Sequence, residues 1–482
     1  MMLILVGLIG IGIMVFIHEL GHFVAAKMNG VAVEVFSLGW GPRLVGFRWR
    51  GTMYQISWFP IGGYCKMRGE VTPGMVGGKG EGQAEAPALP PAPAHSPSAL
   101  TNPPSAAVER APGGSFSEAA PWRRIVISAS GPLFNLVFAA LIFTVIWWAG
   151  FEVFSADNRI VLATDYSLET FAKVPPATLA GLTTGDRVTA IDGAPVEKFQ
   201  DIREKVSTAP NRTFMFTVVR TEGGATRTLT IPVTPWLDKD SGAGQIGVYE
   251  WRDPILESVR PGSAAGMAGL RRGDKIVRAD GRAILNQMDL YQLLASKPAK
   301  VSLVFERGGQ RMTAPLVLSY TEKGAADIGI TFAQRTYRSP RLGLLGALER
   351  GFADTWTYTA LTVKGFGLLF QGINLRNAVA GPVKIAYIIG DTAVSGFQVG
   401  VGAGLVSSFR LIAFLCIVLF LMNLLPIPAM DGGQIVLFLI EIVRGRSVPA
   451  KIFWRIQLVG FSILLALLVV VTFNDFMSFP GR

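Results

Sequence analysis

Four stretches of this chain are apolar for long enough to cross a bilayer. The first, 1–28, opens with Met1 to Ile17 and carries no charge over that run. The second, 122–150, ends on Trp147-Trp148, the kind of aromatic pair that sits at a membrane interface. The third, 406–431, is most apolar over Leu411–Leu425, and the fourth, 450–474, over about Ile456–Phe473. Between the first two the pattern shortens: over 29–70 aromatic and β-branched residues are punctuated by Gly46, Gly51, Gly62 and Gly63, which predicts short strands joined by tight turns. Over 340–405 charges recur often enough to predict amphipathic helices at the interface in place of a further span.

Composition agrees with the pattern. Half the residues are hydrophobic and only 16% are charged, which places the chain among integral membrane proteins. The net charge of +11 lacks a basic run with interleaved aromatics, so nucleic acid is excluded as a partner. Lys and Arg cluster instead beside apolar segments, at Arg43, Arg48, Arg50, Lys66, Arg68, Arg123 and Arg124, and again at Arg444, Arg446, Lys451 and Arg455. Such flanks are cytoplasmic by the positive-inside rule, so four spans put both termini and residues 151–405 outside. Residues 71–121 are rich in Gly, Ala, Pro, Ser and Glu and read as a disordered cytoplasmic linker, with His95 inside it and no ligand role expected. Cys65 and Cys416 offer neither a disulfide framework nor a Cys-rich metal site.

The outer region repeats itself. Ala180-Gly181-Leu182-Thr183-Thr184-Gly185-Asp186, followed by Asp192-Gly193, recurs as Ala268-Gly269-Leu270-Arg271-Arg272-Gly273-Asp274, followed by Asp280-Gly281, always 88 positions later. Two tandem domains of one mixed α/β fold are implied, at 155–248 and 249–335. With Pro175-Pro176-Ala177 and Pro261-Gly262-Ser263-Ala264 before the short helix of each copy, they resemble PDZ domains of the bacterial protease type. Such domains accept a peptide as an added strand or serve as spacers and size filters.

Candidate chemistry begins at His18-Glu19-Leu20-Gly21-His22, near the end of the first span. Only three histidines occur in 482 residues, and two stand here at i and i+4, on one helical face, with a carboxylate beside the first. That is half of a zinc site. Ionisable groups at membrane depth are expensive and usually functional. At the end of the third span stands Asn423-Leu424-Leu425-Pro426-Ile427-Pro428-Ala429-Met430-Asp431-Gly432-Gly433, where two prolines break the helix. Asp431 is the carboxylate of that apolar stretch and, lying toward the same side of the membrane as the histidines, reads as a third ligand.

Together these motifs resemble the site-2 protease family of intramembrane zinc metalloproteases, of the bacterial RseP type, over nearly the whole chain except 71–121. Gly131-Pro132-Leu133-Phe134-Asn135 in the second span also looks like that family's pattern. The resemblance implies an α-helical polytopic membrane protein of about four transmembrane helices, with a membrane-associated β region on the cytoplasmic side and two tandem extracytoplasmic PDZ domains. It implies Zn2+ on His18, His22 and Asp431, Glu19 as general base, and Asn423 hydrogen-bonding the substrate backbone or the developing oxyanion. Gly62 and Gly63 would let a substrate backbone approach as an extra strand. The implied substrates are single-span membrane proteins such as an anti-sigma factor, cut first by a site-1 protease, and signal-peptide remnants. The implied place is the bacterial inner membrane, with the active site toward the cytoplasm. A catalytically silent PDZ scaffold and an ion transporter are the competing readings; the intact polar set argues against the first and the scarcity of other polar residues in the spans against the second.

Overall fold

In a computed structural model, the described residues are 2–70, 113–166, 173–239, 241–320, 326–368 and 380–477. They form two units, one made of 1–151, 340–364 and 379–482 and the other of 152–339 and 365–378.

The first unit starts with α1 (Met2–Met28), closed by Gly30 in the left-handed region. Strands β1 (Val33–Trp49) and β2 (Thr52–Met67) follow, joined at Arg50-Gly51, both with positive φ, as a tight hairpin requires. These are two long, bent elements where short strands were expected. Residues 35–38 pair with 63–66 on one side and with 53–56 on the other, while 43–49 pair with 52–57. Four segments therefore lie side by side, with 43–49 and 63–67 at the edges. Bulges and the positive-φ glycines Gly39, Gly41 and Gly62 turn each chain without ending it. Phe36, Cys65 and Met67 are buried on Ala25, Ala26 and Ile127, whereas Leu44, Val45, Phe47 and Trp49 on the outer edge are uncovered.

The last part of the expected 71–121 linker, from 113 on, is packed on the rest of the unit. Gly114 bridges to Val31, and Phe116 is buried in the same cluster, because an aromatic side chain there outweighs the flanking polarity. Residues 71–112, with His95, lie outside the described residues. α2 (Pro121–Ala149) begins on proline, which suits a first helical position, and carries Pro132 inside.

The second unit contains the repeat. Each copy has a four-stranded sheet of the same order: 194–195, 187–191, 214–222 and 225–233 in one, and 282–283, 275–279, 300–307 and 310–317 in the other. Each carries a short helix, α3 (Pro176–Leu179) or α5 (Ala264–Met267), and a longer one, α4 (Phe199–Ser207) or α6 (Gln287–Ala295), around its own core. The repeated aspartates are buried and paired: Asp186 accepts two 2.8 Å bonds from Arg220, and Asp274 two 2.7 Å bonds from Arg307. Burial pushes the Asp274 carboxyl up, but the hydrogen bonds and charge of Arg307 and the Arg271 N–H outweigh it and hold the group below its ordinary range.

Helices α7 (Leu344–Leu368), α8 (Pro382–Val399), α9 (Val401–Leu424), α10 (Asp431–Arg444) and α11 (Ala450–Met477) complete the chain. Among the described residues, α1, α2, α9 and α11 are long and apolar enough to cross a membrane. The third span ends at Leu424, not 431, and Asp431 opens a separate helix because Pro426 and Pro428 interrupt the chain. Over 340–405, where interfacial helices were expected, α7 and α8 are not among the helices long and apolar enough to cross a membrane among the described residues. α8 packs against both α1 and α9, with Ala386, Ile389, Gly390 and Ala393 buried. Small residues set that contact: a Cβ at Gly7 would lie 2.7 Å from Ala386 Cα, and one at Gly390 2.8 Å from Leu3 Cα. α7 lies along α2, with Tyr358 stacked on Phe143 at 5.3 Å. Asp475, buried near the end of α11, accepts from the N–H groups of Gly381 (2.9 Å) and Lys384 (3.0 Å) and so caps α8 from another helix.

Candidate metal and catalytic centre

One turn of α1 carries His18 and His22 on the same face, and their Nε2 atoms lie 3.2 Å apart. Asp431 closes the group: its Oδ2 is 3.2 Å from His18 Nε2 and its Oδ1 3.5 Å from His22 Nε2. The loop after α9 delivers this carboxylate. Pro426 and Pro428 prevent the helix from continuing, and the chain folds back so tightly on α10 that a Cβ on Gly433 would lie 2.9 Å from Pro428 Cα. Ala429 sits at φ +73°, unusual for a residue with a side chain. Gln457 of α11 holds it there by accepting the Ala429 N–H at 2.7 Å, and Gly460 leaves room for Pro428. Asp431 thus stands in the first turn of α10, where the helix dipole favours an anion.

α2 crosses behind the histidines. Its Gly131 has no side chain to spare: a Cβ there would lie 2.6 Å from His22 Cε1 and 2.9 Å from His18 Cε1. The carbonyl of Ile127 accepts from His22 Nδ1 at 2.8 Å, so that ring carries a proton on Nδ1 and leaves Nε2, which faces Asp431, as the nitrogen able to hold a metal. Two imidazole nitrogens and one carboxylate oxygen, all within 4.8 Å of one another, make a donor set that fits zinc with one coordination position left open.

The sequence pattern of peptidase family M50 matches residues 6–467. This chain belongs to peptidase family M50. A relative from Treponema pallidum (strain Nichols) is 33% identical over 98% of this chain and 99% of its own length. The "Regulator of sigma-E protease RseP" of Escherichia coli (strain K12) is 26% identical, covering 97% of each chain, and the "Zinc metalloprotease RasP" of Geobacillus kaustophilus (strain HTA426) is 26% identical over 97% of this chain and 96% of its own. Among solved structures, the PDZ domain of an SdrC-like protein from Listeria monocytogenes is 25% identical over 17% of this chain and 90% of its own, with a TM-score of 0.16.

This M50 peptidase is a zinc metalloprotease with four candidate membrane helices. Its metal-ligand candidates line a cavity of about 310 Å³ shared with Glu19, Gly63, Asn423 and Gln457. Gly63 lies on the edge segment 63–67, close enough that a Cβ would touch Glu19 Cγ at 3.4 Å. Gly62 is not among the cavity-lining residues; its φ of +90° and the indole of Trp40 against it explain the missing side chain. Cys65 also lines the cavity, but burial pushes its thiol well up, which makes it a poor nucleophile. Burial likewise pushes the Glu70 carboxyl up to about 7 at the cavity's margin. Gly131 and Asn135 were legible only as part of the Gly131–Asn135 pattern, with no role attached, and Gln457 carries no chemistry that a sequence pattern would flag; the i, i+4 spacing of Gly131 and Asn135 puts both on one face of α2. Nor is Arg124 simply a flank charge. It is buried, pairs with Glu441 of α10 and lies over the Phe438 ring.

Proposed function

We propose that this M50 peptidase cuts single-span membrane proteins inside the bilayer, with His18, His22 and Asp431 as zinc ligands and Glu19 as general base. The observation that carries this reading is the convergence of both Nε2 atoms on the Asp431 carboxylate, in a cavity that Glu19 also lines. A bound zinc supplies Lewis acidity to the scissile carbonyl and to the attacking water. Glu19 takes the proton of that water and passes it to the leaving amine. Asn423, at the end of α9, donates its amide to the substrate backbone or the developing oxyanion. Glu19→Gln is expected to keep stoichiometric zinc and to lose about 10²–10⁴-fold in cleavage of a single-span substrate. Undiminished cleavage by this variant overturns the assignment.

A peptide bond in a transmembrane helix is shielded by its own hydrogen bonds, so substrate must unwind before attack. The segment 63–67 pairs on one side only among the described residues, and Gly63, Tyr64, Cys65, Lys66 and Met67 all line the cavity. It takes the unwound backbone as an added strand, with Gly63 permitting the approach. Lys66→Pro then slows cleavage without loss of zinc. The two repeated domains are a tandem PDZ pair outside the membrane, which admits substrates after a site-1 cut has shortened them, by excluding bulk or by inspecting the new carboxyl end. Anti-sigma factors and signal-peptide remnants are the substrate classes; the name of the Escherichia coli relative supports the first. The active site faces the cytoplasm of an inner membrane, with both termini outside, a reading that the basic flanks support.

A further inference from the structure

α2 presents one stripe to the histidine pair: Ile127, Gly131 and Asn135, spaced four residues apart on one face. The first gives its carbonyl to His22 Nδ1 and the second gives space, as described above. The third is fully buried, and its amide lies against the other histidine, with Nδ2 3.4 Å from His18 Nδ1, while its Oδ1 has no partner. In this orientation a donor nitrogen meets a ring nitrogen that must itself be a donor, because His18 directs Nε2 at Asp431 and a neutral imidazole that offers Nε2 as a lone pair carries its proton on Nδ1. Carbonyl and amino groups of a carboxamide exchange places by a half-turn. In either orientation one amide atom lacks a partner; only the turned one gives the ring N–H an acceptor.

We propose that Asn135 is a positioning residue for zinc: its Oδ1 accepts the Nδ1–H of His18, locks that tautomer and ring angle, and does for His18 what the Ile127 carbonyl does for His22. The inference rests on the reading of His18 as a ligand. α2 therefore orients both imidazoles while contributing no ligand, and the Gly131 gap between the two acceptors is where the rings sit.

The test measures zinc affinity of the full-length protein in detergent by chelator competition, for the native chain and for Asn135→Leu, Asn135→Asp and His18→Ala. Asn135→Leu keeps the volume without the acceptor and should bind zinc about 10–100-fold more weakly. Asn135→Asp keeps an acceptor and should stay within a few-fold of native. Native affinity in a folded Asn135→Leu, or equal losses in Asn135→Leu and Asn135→Asp, overturns the proposal. His18→Ala separates the two failures: if it too binds zinc normally, the ligand reading has failed and not merely the role of Asn135. With only three histidines in the chain, ¹⁵N-histidine NMR of the zinc-loaded native protein gives a direct readout that needs no variant to fold. A protonated Nδ1 on His18 is expected, and an unprotonated one refutes the assignment.

Discussion

Gly131→Ala is the smallest change that should disable the centre. The added methyl would start 2.6 Å from His22 Cε1 and 2.9 Å from His18 Cε1, against ordinary contact at 3.4 Å or beyond, so the helices must separate by close to 1 Å at that point. Neither side can yield alone. His22 is tied to the Ile127 carbonyl of the same helix at 2.8 Å, and at the adjoining crossing a Cβ on Gly21 would already lie 2.8 Å from the Ser130 carbonyl carbon. Metal sites tolerate displacements of roughly 0.2 Å in their ligand distances, so a shift several times larger should lower zinc affinity about 100-fold. Turnover at saturating zinc should fall by a similar factor, the usual cost of about 1 Å of misplacement at a reacting centre. The assay is bound zinc by chelator competition, then cleavage of a single-span substrate, with Gly365→Ala as the control. Gly365 lies in α7 with nothing within 4 Å of its would-be Cβ, and alanine there should stabilise the helix by roughly 0.5–1 kcal/mol. Native zinc affinity and turnover in Gly131→Ala would refute the idea that α2 gauges the spacing of the histidines.

Arg124→Met leaves Glu441 buried without its partner and should cost about 3–5 kcal/mol, whereas the double variant Arg124→Met/Glu441→Met should recover most of it; thermal unfolding in detergent reads both. Asp475→Ala removes the acceptor for the Gly381 and Lys384 N–H groups and should cost about 1 kcal/mol, visible as faster hydrogen exchange at those two amides. Asp274 has a lowered native pKa, so the stability it provides is complete above the ordinary value of 3.8 and is lost as pH falls through the native one. The midpoint of denaturant unfolding of the second unit should therefore drop on acidification below about pH 4 in the native chain, and less steeply in Asp274→Asn, where this carboxyl no longer titrates.

How much of this was legible in the sequence depends on whether the information was local. Two scarce histidines one turn apart and a lone carboxylate beside two prolines declare themselves, because polar groups in an apolar run have few other reasons to be there. The 88-residue repeat also has a physical reading: its recurring Asp186 and Asp274 are the buried acceptors of Arg220 and Arg307, and its Asp-Gly pairs adopt the positive φ values of a hairpin turn. The β region could not be read in the same way. Val35 to Leu38 pair with two segments at once, an arrangement set by bulges and long-range partners that no period-2 pattern encodes. The packing of the helices after 340 was hidden for a different reason. Lys384 and Asp391 give α8 charged positions, yet Ala386 meets Gly7 and Gly390 meets Leu3 closely enough for the backbones to touch, and in a bilayer close packing of small residues holds helices together where apolar faces alone cannot. The same logic governs the centre itself. Gly21, Gly131, Gly432, Gly433 and Gly460 each stand where a neighbouring helix or loop passes too close for a side chain, so the ligands are placed as much by residues that leave room as by residues that bind.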